Sequence, residues 1–216
     1  WLKAISSMSQ WAPPAMATPV APRLAFAVGQ RQPYRVELHT DLAVTGDDHP
    51  VRFELQGVLQ LEAHSQEDPV RLVLVLEQAR LTSPGQPEAD TSRALATLKR
   101  PVLVSFEAGR VKELRAAPDP DPLAAGLLRT VAAGLQLGAT ESGTERWTAV
   151  EQDAAGSYDV EYRAEGPGRY QTRKIRYHGA TRPPGGALPI GVDLTPQIVS
   201  SRGVLELDAG VLRRRE

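Results

Sequence analysis

The chain has 216 residues, with 25 lysines and arginines against 26 aspartates and glutamates and no cysteine. Disulfides, thiolate catalysis and thiolate metal sites are excluded, and a net charge of −1 supplies no field for nucleic acid or an anionic surface. A chain of this length buries roughly 70% of its extended surface, enough for one large all-β domain, and 18 glycines with 18 prolines imply many turns.

Residues 1–25 read as a tail: Trp1, Ile5 and Met8 share a face at helical spacing, and a proline-rich stretch follows. The predicted domain runs over 26–216. Its first strand alternates, with Tyr34, Val36, Leu38, Leu42 and Val44 on one face and Arg35, Glu37, His39 and Asp41 on the other. GDDHP turns the chain into a second strand through Val51, Phe53, Leu55, Leu59 and Leu61. VRLVLVLEQARL is a third, whose apolar register changes parity between Leu76 and Ala79 and so predicts a β-bulge. Nothing between these strands is long enough for a crossover helix, so they form an antiparallel meander. SPGQPEADTS reads as a loop and Leu95–Leu98 as one more short strand. Val102, Val104 and Phe106 then turn at Ala-Gly into Val111 and Leu114.

A helix is predicted over 122–137, capped by Asp121 with Pro122 in its first turn. Leu123, Leu127, Val131 and Leu135 make one stripe, widened by Leu128, and Arg129 is the only charge between Leu123 and Leu137. Gly126, Thr130 and Gly134 make a second stripe of small side chains. Each glycine costs about 1 kcal/mol against alanine, which implies close approach on that side too. A helix apolar on most sides is surrounded on most sides. The expected fold is therefore mostly β, an antiparallel sheet curled into a barrel around one central helix, with Leu127 and Val131 among the least accessible residues. A β-sandwich with one packed helix is the alternative.

After Gly138 the period of two returns. Tyr158, Val160 and Tyr162 share a face; Tyr170, Thr172, Lys174 and Arg176 share another, with Arg173, Ile175 and Tyr177 opposite. A final hairpin turns at Asp208-Ala209-Gly210.

No standard catalytic motif is present: no G-x-S-x-G, no H-E-x-x-H, no phosphate loop. His39, Asp41, Asp47, Asp48 and His49 are the best metal candidates, but a polar turn beside a solvated strand face explains them, and no metal site is expected. Glu151, Glu161 and Glu165 read as acids on a wet sheet face. The chain is expected not to be an enzyme. The sharpest charge feature is Arg173, Lys174 and Arg176, flanked by Tyr170 and Tyr177, a candidate surface for an acidic protein segment or lipid headgroups. Arg213-Arg214-Arg215 is a similar patch.

From Phe26 to Tyr177 the order of elements resembles the N-terminal β-barrel of the large lipid transfer family, which includes vitellogenin, apolipoprotein B and the microsomal triglyceride transfer protein. Gly29, Tyr34 and Gly57 match its opening strands; Pro101, Gly109, Arg110 and Val111 match its proline-started hairpin. Arg129 and Leu135-Gln136-Leu137 match its central helix, and Glu151, Asp153, Gly156 and Tyr162 its acidic hairpin and tyrosine strand. Ser157 stands where the family usually has a cysteine, and the helical and lipid-cradling domains that follow the barrel have no counterpart in these 216 residues. The resemblance implies a noncatalytic domain of a lipid-transport or lipoprotein-like protein, contacting a protein partner or a neighbouring domain. The alternative is a self-contained carrier holding a fatty acid or phospholipid against Leu123, Leu127, Leu128, Val131 and Leu135. No cofactor is expected beyond a bound lipid, no nucleic acid, and no transmembrane segment; the expected location is periplasmic, cell-envelope or extracellular.

Overall fold

A computed structural model describes residues 24–42, 51–65, 67–84, 87–116, 118–138, 144–180, 198, 203–208 and 211–215. Five strands form the first antiparallel sheet in chain order: β1 (Arg31–Leu42), β2 (Val51–Ser65), β3 (Val70–Thr82), β4 (Val102–Glu107) and β5 (Arg110–Arg115). The second sheet holds β6 (Arg146–Gln152), β7 (Gly156–Gly166), β8 (Arg169–Ala180), β9 (Gly203–Asp208) and β10 (Val211–Arg215), again as neighbours in order. Helix α1 (Glu88–Leu98) follows β3, and α2 (Pro122–Ala133) connects the sheets. One apolar cluster joins the two sheets and both helices, with Leu55, Leu72, Leu98, Val104, Ala124 and Tyr162 each fully buried.

The meander and both hairpins stand as the periodicity predicts. The bulge in β3 is present: pairing passes from Gln56 opposite Arg80 to Val58 opposite Glu77, so Gly57 faces two residues. A Cβ there would lie 3.1 Å from the Glu77 carbonyl oxygen, which is why glycine occupies the crossing.

Several expectations need correction. Leu95–Leu98 is not a strand but the end of α1, and residues 88–92 of the expected SPGQPEADTS loop are its beginning. Glu88 and Asp90 favour its first turn by complementing the helix dipole, and Ala94 and Leu98, four apart, bury its inner face. α1 lies on β3 and α2, and Arg93 reaches the α2 cap residue Asp121 at 2.9 Å. Asp121 caps as expected, accepting from the amides of Leu123 and Ala124, but α2 stops at Ala133 and only residues 134–135 continue as a turn. The small-residue stripe does not mediate close packing: a Cβ on Gly126 would meet nothing within 4 Å, and one on Gly134 only the Val131 carbonyl. Leu127 is buried, whereas Val131 is only half-buried.

A closed barrel is not formed among the described residues, because no ladder joins the two sheets. Where β5 meets β6, the buried amide of Gln136 takes the place of a strand. Its Oε1 accepts from the backbone amides of Val111 (3.0 Å) and Gln152 (3.3 Å), and its Nε2 donates to the Gln152 carbonyl (2.7 Å). Gln152 returns the exchange by donating from Nε2 to the Val111 carbonyl. The tip of the β4–β5 hairpin locks the same corner. Ala108 and Gly109 both have positive φ, the geometry of a tight two-residue turn, and the Gly109 carbonyl accepts from the Leu137 amide at 2.9 Å.

Candidate functional site

At the opposite seam, where β1 and β10 form the outer strands of their sheets, the molecule is open. A cleft of ≈ 940 Å³ lies there, within the size range of small-molecule sites. Its β1 wall includes every residue from Pro33 to His39. Successive residues of a strand face opposite ways, so the cleft wraps around the strand's edge. Val131 and Leu135 of the α2 region form the floor, facing Val160 of β7 and Leu212 of β10.

Two polar clusters, one fully buried and one half-buried, lie in the second sheet beside it. The Glu151 side chain is fully buried and accepts hydrogen bonds from the hydroxyls of Tyr158 (3.0 Å) and Tyr162, and from Arg215 Nη2 (3.0 Å). Arg215 also donates to the Gln136 carbonyl. Burial disfavours the Arg215 charge more than any one neighbour favours it, but Glu151, Tyr162 and Tyr158 together outweigh burial and the net pKa lies above the ordinary value. Burial, then the Glu151 charge, pushes Tyr158 far up; burial likewise raises Tyr162, against the opposing pull of Arg215. In the second cluster the Lys174 ammonium meets Asp153 and the Tyr177 hydroxyl, and lies 4.1 Å from the centre of the Tyr158 ring, a cation–π contact. Tyr177 donates to Asp153 at 2.8 Å, and burial and then that bond raise its pKa.

The predicted surface of Arg173, Lys174, Arg176, Tyr170 and Tyr177 is therefore divided between two faces. Pairing passes from Val160 opposite Lys174 to Asp159 opposite Arg176, leaving Ile175 as an extra residue. That bulge reverses the expected parity. Tyr177 joins Lys174 and Tyr170 on the inner face, where Tyr170 sits edge-on to Trp147. Arg173 and Arg176 point outward, against Glu161 and Asp159. A second bulge at Arg213 does the same in β10, bringing Leu212 and Arg215 to the inner side. Glu161 and Glu165 are surface acids paired to arginines, as expected, but Glu151 is not on a wet face.

Of the helix residues expected to form a core or face lipid, Val131 and Leu135 line the cleft, Leu127 and Leu128 lie in the core, and Leu123 is partly buried. His39 is exposed near Glu54; Asp47, Asp48 and His49 fall outside the described residues, among which no metal-binding cluster occurs. Among the same residues no helix is long and apolar enough to cross a membrane.

No protein-family model and no curated protein matches the chain. A partial likeness exists to solved structures. Among them is a lipovitellin chain, from work on lipid–protein interactions in lipovitellin, with a TM-score of 0.46 and 18% identity over 67% of this chain. The matched part is 16% of the lipovitellin chain.

Proposed function

We propose that this chain is a noncatalytic module of a lipid-transport or lipoprotein-like protein, and that the cleft between β1 and β10 binds an amphiphile. The observation that carries this reading is the lining: the half-buried Val36, Leu38 and Val131, above the buried Leu135 and Val160, offer apolar surface inside a ≈ 940 Å³ space that charged side chains also line. The sequence resemblance from Phe26 to Tyr177 supports the same reading, and an envelope or extracellular location goes with it. Native mass spectrometry of the chain incubated with palmitate or with phospholipid vesicles tests it. One lipid per chain is expected, lost on Val131→Asp, which alters a half-buried wall residue rather than the core. A parent chain that stays empty with both lipids overturns the reading.

The edge geometry of β1 favours a second reading, in which the seam receives an extended segment of a partner or neighbouring domain by strand addition. Among the described residues β1 pairs only with β2. Amide hydrogen exchange separates the two readings: strand addition slows the outward-facing β1 amides, whereas lipid loading leaves them unchanged.

A further inference from the structure

The charges of the cleft are not symmetric, and they select among amphiphiles. Arg35, Lys174, Arg213 and Arg215 line it against only Glu37 and Asp153. The two inner cations are committed elsewhere: Arg215 to buried Glu151, and Lys174 to Asp153 and Tyr177. Arg213 differs. It stands at the mouth on β10 with a side chain 62% exposed, and it pairs with Asp208, itself 66% exposed. A pair so open to water is weakly held and exchangeable. Across the seam Tyr34 of β1 lies near enough for the Arg213 charge to act on its hydroxyl, so the two sides of the mouth are electrostatically in reach.

We infer that the ligand is a long-chain carboxylate whose head group exchanges with Asp208 for the Arg213 guanidinium, while its chain lies along Val36, Leu38 and Val131. This rests on the amphiphile reading above and narrows it to an anionic head. A guanidinium offers paired N–H donors matched to a carboxylate, and the apolar lining stabilises the chain by removing it from water. An alcohol of the same length gains the second contribution without the first.

The experiment measures binding of palmitate and of hexadecanol to the full chain by displacement of a fluorescent fatty-acid probe. Palmitate is expected to bind at least ten-fold tighter than hexadecanol. Arg213→Gln is expected to bring palmitate close to the alcohol, whereas Asp208→Asn, which removes the competing carboxylate, tightens palmitate several-fold and leaves hexadecanol unchanged. Both side chains are exposed, so both variants keep the parent's circular dichroism. Equal affinity for acid and alcohol overturns the inference and leaves the amphiphile reading standing. A preference for palmitate that survives Arg213→Gln, or fails to grow with Asp208→Asn, overturns the assignment of the head group to Arg213. Binding of neither compound sinks the inference and weighs against the amphiphile reading itself, which vesicle-derived phospholipid then decides.

Discussion

Replacing Arg215 with methionine removes the only cation, among the described residues, bonded to the fully buried Glu151 carboxylate. Glu151 keeps the hydroxyls of Tyr158 and Tyr162, and loses the 3.0 Å bond from a guanidinium that is only 15% exposed. Breaking a buried ion pair from one side typically costs 3–5 kcal/mol, because the remaining charge is uncompensated. The total stability of a domain is roughly 5–15 kcal/mol, so Arg215→Met is expected to leave a folded but much weakened protein. With a urea m-value of about 2 kcal/mol/M, the midpoint falls by roughly 1.5–2.5 M. The double variant Arg215→Met/Glu151→Gln removes the stranded charge while leaving an acceptor for the tyrosines, and is expected to recover at least ~2 kcal/mol of the loss. Urea unfolding followed by far-ultraviolet circular dichroism on both variants measures this. A loss below about 1 kcal/mol in the single variant, or no recovery in the double, refutes the view that the pair is an interdependent buried unit.

The tyrosines carry a pH prediction. All five are held above their ordinary value, chiefly by burial, and Tyr158, Tyr162 and Tyr177 by the most. The folded state thus retains phenolic protons that the unfolded chain releases near pH 10, so this stabilisation is complete below pH ~10 and is lost as the pH rises further. The slope is about 1.4 kcal/mol per pH unit for each tyrosine kept neutral, or close to 3 for Tyr158 and Tyr162 together. Absorbance at 295 nm should rise together with loss of circular dichroism above pH ~10; tyrosines that ionise near pH 10 in a fully folded protein contradict the assignment. Glycine substitutions test the sheet junction. Gly109→Ala puts a Cβ 1.8 Å from the Leu137 carbonyl oxygen at φ +76, whereas Gly29→Ala at φ +73 meets nothing within 4 Å. The second is expected to cost about 1–2 kcal/mol of backbone strain and the first at least ~1 kcal/mol more, through the displaced Leu137–Gly109 bond; equal losses in thermal unfolding would show that the hairpin tip is not anchored there.

Much of the fold was legible because alternation is a direct record of which face is buried. Val102, Val104 and Phe106 gave β4, and the parity change after Leu76 gave the β3 bulge. α1 was missed because its buried face is Ala94 with Leu98, and alanine contributes little to an apolar pattern. Two features of the site were hidden for a related reason. The bulge at Ile175 shifts the parity of β8 where the neighbouring side chains are polar or aromatic, so no apolar run marks the shift. Glu151 is inward because it follows Trp147 and Ala149 in the same register, but a lone acid in an alternating strand reads as solvated. Gln136 and Glu151 stood among the residues that carried the family resemblance, yet the sequence could not indicate that one bridges the sheets and the other pairs with Arg215. The cleft itself depends on β1 and β10, far apart in the chain, coming to the same open seam.

One seam laced by Gln136 and one left open make the molecule mechanically lopsided. Arg215 ties β10 back to the laced corner through Glu151 and the Gln136 carbonyl, so the two outer strands are not equivalent. β1 lies four steps of ~4.8 Å, roughly 19 Å along the sheet, from the β5 edge that Gln136 bonds. A change in the gape of the cleft therefore falls mainly to β1, and the side-chain amide that imitates a peptide group marks the end that stays fixed.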